Sequence, residues 1–364
     1  MNTDELFKLL GNVTQEVKDE PTLNKHSRVV IVDGLNLFLR NFAVLNYINS
    51  DGVHIGGLGG FLRSLGFLIN NIQPTSVYLV FDGIGSSNNR KNLLPEYKSG
   101  RHQTRVTNWD TFDDLEDENI SKYNQISRLI HYLKCLPVKT VAIDKAEADD
   151  LIAHLSTHLA STHDSKVYIV SSDKDFLQLV NKNIIVYSPI EKDFYDSKTV
   201  KSKFGTLPEN FILYKTLLGD NSDKVPGVKG LGKGKIFKLF PELQTEILTL
   251  DDIFKISAEK YKEHIIYSRI VFEENSIRNC FKIMNLANPI IDDNEKQFLE
   301  ELIIESSPEL RAGDFLKLYH EDGMGFTIKN VEHWLPNNFN ILNSYKQISY
   351  DITNDRSVWD GISN

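Results

Sequence analysis

Several features that mark particular classes of protein are scarce or absent in this sequence. Among its 364 residues only Cys135 and Cys280 are cysteines, and they form no metal-spaced pair. This usage excludes a disulfide-stapled secreted domain and predicts reduced thiols in a reducing compartment. The ten histidines show no metal spacing, and no Ser-His arrangement competes for catalysis.

Long apolar runs and an overall basic charge are also missing. No apolar run approaches the length that a bilayer requires, and the acidic N-terminus lacks the basic-then-apolar order of a secretion signal. We therefore expect a cytoplasmic protein with no membrane contact. The net charge is −9, so binding to nucleic acid would need local basic patches or metal ions that neutralise acids.

Short apolar runs that alternate with helical patterns predict the fold. Runs typical of buried strands lie at Arg28–Val32, Val77–Phe81, Val138–Ile143, Lys166–Val170 and Ile184–Tyr187. Helical patterns cover Leu35–Val44, Phe61–Ile72 and Tyr123–Leu133. This order predicts an α/β fold with a mostly parallel sheet flanked by helices, and the pattern becomes helical from about residue 191.

A glycine-rich stretch at residues 56–60 stands before one of these helices. No strand directly precedes it, and it lacks the Lys-Ser/Thr ending of a nucleotide-phosphate loop. We predict a turn or tight packing there.

Acidic residues follow several of the predicted strands. Asp33, Asp82, Asp173 and Asp175 lie just beyond strand ends, at the edge where parallel sheets bind ligands. Glu147, Asp149 and Asp150 open a helix, and Glu147 and Asp150 are spaced to share one face. Each acid alone has an ordinary explanation as a helix cap or turn residue. Together they predict a cluster that needs compensation by hard divalent cations, and two such ions about 4 Å apart can drive phosphodiester cleavage.

Two basic stretches accompany the acids. The first contains Arg90 and Tyr97-Lys98, with Arg101 three residues after Lys98, and its tyrosine could stack on an unpaired base. The second is a predicted hairpin between two helices, whose backbone amides and lysines suit duplex phosphates without sequence preference. The alternative for the first stretch is a solvated charged loop.

These pieces, taken in order, resemble the 5′-nucleases: flap endonucleases, the 5′-nuclease domains of bacterial DNA polymerase I, and phage 5′→3′ exonucleases and RNase H-type enzymes. The match extends over roughly residues 28–240. The matching pieces are Val32-Asp33-Gly34 with Arg40, Phe81-Asp82-Gly83, Arg90, Leu94-Pro95-Glu96-Tyr97-Lys98 with Arg101, Glu147-Ala148-Asp149-Asp150, Ser172-Asp173-Lys174-Asp175, and Gly219-Asp220-Asn221-Ser222-Asp223 through the glycine-rich hairpin.

The resemblance implies a PIN-like core with a helical arch and a helix–hairpin–helix subdomain. The implied boundaries are an extension at 1–27, a catalytic core at 28–190 with the arch at about 85–122, a duplex-binding subdomain at 191–270, and a helical extension of unknown role at 271–364. It also implies two or more Mg²⁺ or Mn²⁺ ions, and K⁺ at the hairpin. The implied metal ligands are Asp33, Asp82, Glu147, Asp149, Asp150, Asp173, Asp175, Asp220 and Asp223.

The same resemblance implies roles for the basic residues. Lys98 and Arg101 would act at the scissile phosphate beside the catalytic acids Asp33, Asp82, Glu147 and Asp173. The implied DNA contacts are Arg40, Arg90, Tyr97, Lys98, Arg101, Lys229, Gly230, Gly232, Lys233 and Lys235.

We therefore predict a stand-alone, metal-dependent 5′-3′ exonuclease or flap endonuclease that acts on branched or 5′-ended DNA and on RNA primers. We expect a monomer that works in the host cytoplasm if phage-encoded, with a single-strand-binding protein or a clamp as replication partner. The alternatives are a DNA-junction binding protein with an inert centre, a PIN-type ribonuclease, and, much less favoured, an aspartyl-phosphate phosphatase.

Overall fold

The computed structural model describes residues 24–100 and 105–359. A six-stranded sheet lies at its centre, in the order β3-β2-β1-β4-β5-β6. The strands are β1 (Arg28–Asp33), β2 (Ser76–Val80), β3 (Lys139–Val141), β4 (Lys166–Val170), β5 (Ile184–Ser188) and β6 (Asp193–Tyr195). The first five are parallel to their neighbours, and β6 is antiparallel to β5.

The predicted mostly parallel sheet is confirmed, and its first five strands lie within two residues of their predicted ends. Strand β6 was not predicted, because only Tyr195 of its three residues is buried and no apolar run marks it. The residues of β1 alternate between the two faces, since Val29 and Ile31 join one core and Val30 and Val32 the other. Helices cover both faces, which explains why the strand sequences are continuously apolar.

The helices follow the strands in the predicted alternation and then dominate the second half of the chain. They are α1 (Gly34–Val44), α2 (Gly56–Ile72), α3 (Asn88–Leu93), α4 (Leu115–Leu133), α5 (Ala148–Thr162), α6 (Ser197–Phe204), α7 (Phe211–Leu218), α8 (Lys233–Leu239), α9 (Leu250–Glu259), α10 (Ile265–Phe272), α11 (Glu274–Met284), α12 (Asp293–Ile304), α13 (Ala312–Glu321) and α14 (Val331–Trp359). Short 3₁₀ turns lie at Lys174–Leu179, Pro208–Asn210 and Pro241–Gln244. No helix in the described ranges is long and apolar enough to cross a membrane.

The glycine-rich stretch forms the first turn of α2 and packs tightly against α1. A Cβ atom at Gly57 would lie 2.7 Å from the Phe38 ring, and one at Gly60 would lie 2.5 Å from Leu45. Real Cβ atoms essentially never come this close to another atom, so a larger residue at either position would force the Phe38 or Leu45 side chain to shift, whereas glycine allows the close approach. The prediction of tight packing is confirmed.

The chain beyond residue 310 completes the core on the α1–α2 face. Phe315, Tyr319, Leu335 and Phe339 from α13 and α14 are almost fully buried there. Gly66 of α2 lies directly against Trp334, since a Cβ atom at that position would come within 2.3 Å of the indole. These two helices therefore contribute to the packing of the sheet and are not a detached tail.

Candidate metal and DNA site at the carboxyl edge of the sheet

Asp33 ends β1 and is the N-cap of α1. Its Oδ1 accepts a hydrogen bond from the Asn36 amide (3.1 Å), and its Oδ2 accepts one from the Ser171 hydroxyl (2.9 Å). Burial, with the carboxylates of Asp82 and Asp173 adding to it, raises the pKa of Asp33 to about 6. Two neighbouring acids thus already act on this carboxyl group.

Asp82 and Asp173 follow β2 and β4 and are tied to the same edge. Asp82 Oδ1 accepts a hydrogen bond from the Ala148 amide (2.9 Å), at the start of α5. Asp173 caps the 3₁₀ turn, and its amide donates to Ser171 Oγ (3.0 Å), so Ser171 joins Asp173 to Asp33. The ends of three parallel strands therefore meet as the sequence predicts.

Glu147, the N-cap of α5, is almost completely buried at this edge. Its Oε2 receives Lys98 Nζ at 2.7 Å and the Tyr97 hydroxyl at 3.1 Å. Its Oε1 is buried and has no hydrogen-bond partner among the described residues. A buried carboxylate oxygen without a partner is costly unless a cation or water satisfies it.

Asp149 adds a further charge to the cluster. Desolvation and then the Asp173 carboxylate raise the pKa of Asp149 well above its usual value, with Asp33 and Glu147 adding to the effect and Lys98 opposing it. These carboxylates therefore lie near enough to one another at this edge of the sheet for their charges to interact. They have the composition of a site for hard divalent cations.

Asp150 is turned away from this volume. Both its oxygens bind the Arg90 guanidinium, and Oδ1 also accepts the Ile290 amide at 2.9 Å. Arg90 is only 3% exposed and donates its Nε to the Ile283 carbonyl (2.9 Å). The expectation that Arg90 contacts DNA is therefore wrong in this structure, and the oxygens of Asp150 are occupied by the buried ion pair instead of being open to a metal.

Tyr97 also departs from its predicted role. It is 3% exposed and packs in a small cluster with Ile212, Val225 and Met284. Because its ring is enclosed and its hydroxyl donates to Glu147, it has no face on which an unpaired base can stack. Its burial raises the pKa of Tyr97 far above the usual range, so the hydroxyl remains a donor.

Lys98 is the partly exposed partner of Glu147. It adopts a left-handed backbone conformation (φ 53°), its amide donates to the Asp223 carbonyl (2.9 Å), and its side chain is 20% exposed. The Asp223 bond fixes this residue to the loop that follows α7. Arg101, its predicted companion at the phosphate, lies outside the described residues.

A second group of acids surrounds Lys215, a residue that the sequence analysis did not single out. The Lys215 ammonium lies 2.6 Å from Asp175 Oδ1 and also binds Asp220. Burial and the Asp173 carboxylate raise the pKa of Asp175 to about 6 although Lys215 opposes them. Burial acts in the same sense on Asp220, but bonds from Lys215 and Ser222 hold the pKa of Asp220 below its usual value. One signal in the sequence was available, because Lys215 is the single charged residue of the apolar helix α7.

The predicted hairpin connects α7 to α8. Gly219 (φ 77°) lies so close to Gly227 that a Cβ atom would meet its nitrogen at 2.3 Å, which only glycine allows. The five predicted DNA contacts of the hairpin are all exposed: Lys229, Gly230, Gly232, Lys233 and Lys235. Arg40 is partly exposed on α1, where it lines a surface pocket together with Tyr187.

Comparisons with known proteins give the family and the fold. Residues 28–205 match the family described as 5′-3′ exonuclease, N-terminal resolvase-like domain. A 5′-3′ exonuclease of Bacillus subtilis (strain 168) is 31% identical over 230 residues, which cover 60% of this chain and 72% of that protein. DNA polymerase I of the same organism is 29% identical over 248 residues, which cover 67% of this chain and 26% of the polymerase. The chain thus spans about a quarter of that relative's length.

Among solved structures, the fold resembles that of a bacteriophage T5 flap endonuclease, which was determined in complex with DNA and metal ions. The TM-score is 0.59 and the identity 17%, and the alignment covers 80% of this chain and 99% of that one. Human GEN1 in complex with Holliday junction DNA aligns with a TM-score of 0.51 and 16% identity over 92% of this chain and 77% of that one. At such low identity these likenesses concern the fold.

Proposed function

Because this chain belongs to the 5′-3′ exonuclease family, we propose that it hydrolyses phosphodiester bonds in branched or 5′-ended DNA with the help of divalent metal ions. The observation that carries the proposal is the convergence of Asp33, Asp82, Glu147 and Asp173 at one edge of the sheet. Four acids from different segments, held together against their repulsion, are typical of a metal-dependent nuclease centre.

The residues present fit Mg²⁺ or Mn²⁺. Asp33, Asp82, Glu147, Asp149 and Asp173 would supply oxygen ligands, and the buried Oε1 of Glu147 lacks a protein partner among the described residues. Asp175 and Asp220 belong to the neighbouring group around Lys215, so a second ion there would compete with the Lys215 ammonium. Asp223 lies in the same loop, where its amide donates to Asp220 Oδ1. Bound ions would supply an activated water and neutralise the charge on the leaving oxygen.

Lys98 is proposed to contact the scissile phosphate. Its ammonium neutralises Glu147 at 2.7 Å and is partly exposed, so a side-chain movement would bring it to a phosphate bound at the acid cluster. There it would stabilise the extra negative charge of the phosphorane-like transition state, with Arg101 as its companion. A group that acts only in the transition state changes the rate more than the affinity.

The exposed hairpin supplies the duplex contact. Lys229, Lys233 and Lys235 present single positive charges beside the open backbone of Gly230 and Gly232. Such contacts bind phosphates without reading bases, and K⁺ at the hairpin would strengthen them. The T5 flap endonuclease complex with DNA supports this assignment through the shared fold.

RNA primers are part of the proposed substrate range, and the chain is proposed to work as a monomer with a replication partner such as a single-strand-binding protein. Cleavage of an RNA–DNA hybrid beside a matched DNA substrate tests the first point. Light scattering with and without that protein tests the others.

A labelled 5′-flap assay with Mg²⁺ or EDTA tests the central proposal. Wild type should cut only with Mg²⁺, and Asp173→Asn should keep flap binding but lose cleavage, whereas the exposed control Asp51→Asn should behave as wild type. Binding without any cleavage would indicate an inert junction-binding protein, and cleavage of RNA alone would indicate a ribonuclease.

Lys98→Ala adds a test of the proposed chemistry. We expect single-turnover cleavage to slow by about 10²–10³-fold while the affinity for the flap falls far less. An equal loss in both would make Lys98 a phosphate anchor only.

A further inference from the structure

A second cluster of ligand-type side chains lies away from the acid cluster, between α5 and α12. His154 and His158 are four residues apart on one face of α5, and Glu300 of α12 faces them. Glu300 Oε1 lies 3.5 Å from His154 Nε2 and 3.4 Å from His158 Nδ1, and all three atoms lie within 4.8 Å of one another. The statement that the histidines show no metal spacing is therefore wrong for His154 and His158.

One ring nitrogen of His154 faces Glu300 without a close hydrogen bond. Its Nε2 is buried and has no hydrogen-bond partner in the part of the chain that the structure describes. Burial and the neighbouring His158 ring lower the pKa of His154, so the ring is neutral near pH 7 and offers a lone pair. An ion pair with Glu300 would require a protonated ring, which this environment disfavours.

The spacing suits a transition metal. Tetrahedral Zn²⁺ with ligand bonds of about 2.0–2.1 Å places its ligand atoms about 3.3–3.4 Å apart. The two nitrogen-to-oxygen distances are already near this value. The three side chains are 14%, 23% and 44% exposed, so an ion can enter from solvent and keep a water as its fourth ligand.

We propose that His154, His158 and Glu300 bind one divalent transition-metal ion of the Zn²⁺ type, which ties α12 to the helix that carries the nuclease acids. The site is separate from the acid cluster, because His154, the nearer of the two histidines, is five residues beyond Asp149, which is about 7.5 Å along the helix and about 140° around it. It also differs in chemistry, because two imidazoles select Zn²⁺ or Co²⁺, whereas an all-oxygen site suits Mg²⁺.

Titration of the full chain with Co²⁺ in excess Mg²⁺ tests this proposal. The Mg²⁺ fills the all-oxygen sites, so that Co²⁺ reports on the histidine site. Co²⁺ bound to nitrogen in a low-coordinate site absorbs visible light. Wild type should gain one equivalent of absorbing Co²⁺, which Zn²⁺ displaces, and Zn²⁺ should raise its melting temperature. Glu300→Gln and His158→Asn should lose both effects.

Two control variants change the same residue types at exposed positions outside the proposed site. Glu301→Gln changes the next, exposed acid of α12, and His131→Asn changes an exposed histidine of α4, so both should keep the Co²⁺ signal. Flap cleavage by each variant verifies that it is folded. The proposal is overturned if wild type shows no absorbing Co²⁺ beyond that of His158→Asn, or if Glu301→Gln loses the signal as completely as Glu300→Gln.

Discussion

Asp33→Asn is expected to stabilise the metal-free protein while it abolishes cleavage. The change removes a buried charge but keeps the shape of the side chain. Asparagine is as good an N-cap as aspartate, so its carbonyl can still accept the Asn36 amide, and its NH₂ can donate to Ser171 Oγ. Little is lost from packing, and the repulsion with Asp82 and Asp173 disappears.

The size of the effect follows from the pKa. In the folded chain the pKa of Asp33 is about 6, against an ordinary value of 3.8. Each tenfold change in acid dissociation is about 1.4 kcal/mol, so the ionised carboxylate costs the fold up to about 3 kcal/mol above pH 6. The folded state binds more protons than the unfolded state between these two pKa values. The free energy of unfolding of the wild type should therefore fall as the pH rises from about 4 to 6. Asp33→Asn should not show the part of this decrease that comes from ionisation of Asp33.

Thermal unfolding in EDTA measures the difference, with Asp51→Asn as a control that removes an exposed charge. For a chain of 364 residues, 1 kcal/mol corresponds to about 1.3 °C, so Asp33→Asn should melt up to about 4 °C above wild type at pH 7.5 and nearly with it below pH 4. Saturating Mg²⁺ should narrow the gap, because only wild type gains full metal binding. Equal melting temperatures in EDTA at pH 7.5, or a gap that does not depend on pH, would refute the reasoning.

Further substitutions test the other features. Arg90→Ala should lower the free energy of unfolding by about 3–5 kcal/mol, because it leaves the buried carboxylate of Asp150 without its ion-pair partner. Lys91→Ala, at an exposed position, should change it little, and equal urea midpoints for the two variants would contradict a stabilising ion pair at Arg90. Lys229→Ala should reduce the slope of log affinity against log salt for duplex DNA by about 1, and an unchanged slope would remove it from the phosphate contacts. Gly66→Ala should cost about 1–3 kcal/mol because its Cβ would collide with Trp334, and an unchanged melting temperature would show that α14 packs elsewhere.

Much of the architecture could be predicted from local patterns. Continuous apolar runs mark strands that are buried on both faces, and acids placed just after such runs must gather at one edge when the strands are parallel. For this reason the positions of Asp33, Asp82 and Asp173 followed from spacing alone. The glycines at 56–60 likewise indicated close packing, although not which helix they would meet.

The partner of each charged side chain was decided only in three dimensions. Asp149 and Asp150 are adjacent and chemically alike, yet one faces the acid cluster and the other is paired with Arg90, which lies 60 residues away and is held by the Ile283 carbonyl. Tyr97 is buried for the same reason, because α7 and α11 cover it. Lys215 and the pair His154 and Glu300 acquire their surroundings from segments far apart in the chain.

The sequence by itself therefore determined the five parallel strands, the order of elements along the chain and the edge at which the acids collect, because apolar runs and their alternation with helical patterns can be recognised locally. The tertiary structure decided which of those acids remain open to a cation and which are neutralised, because burial and charge pairing depend on contacts between distant segments.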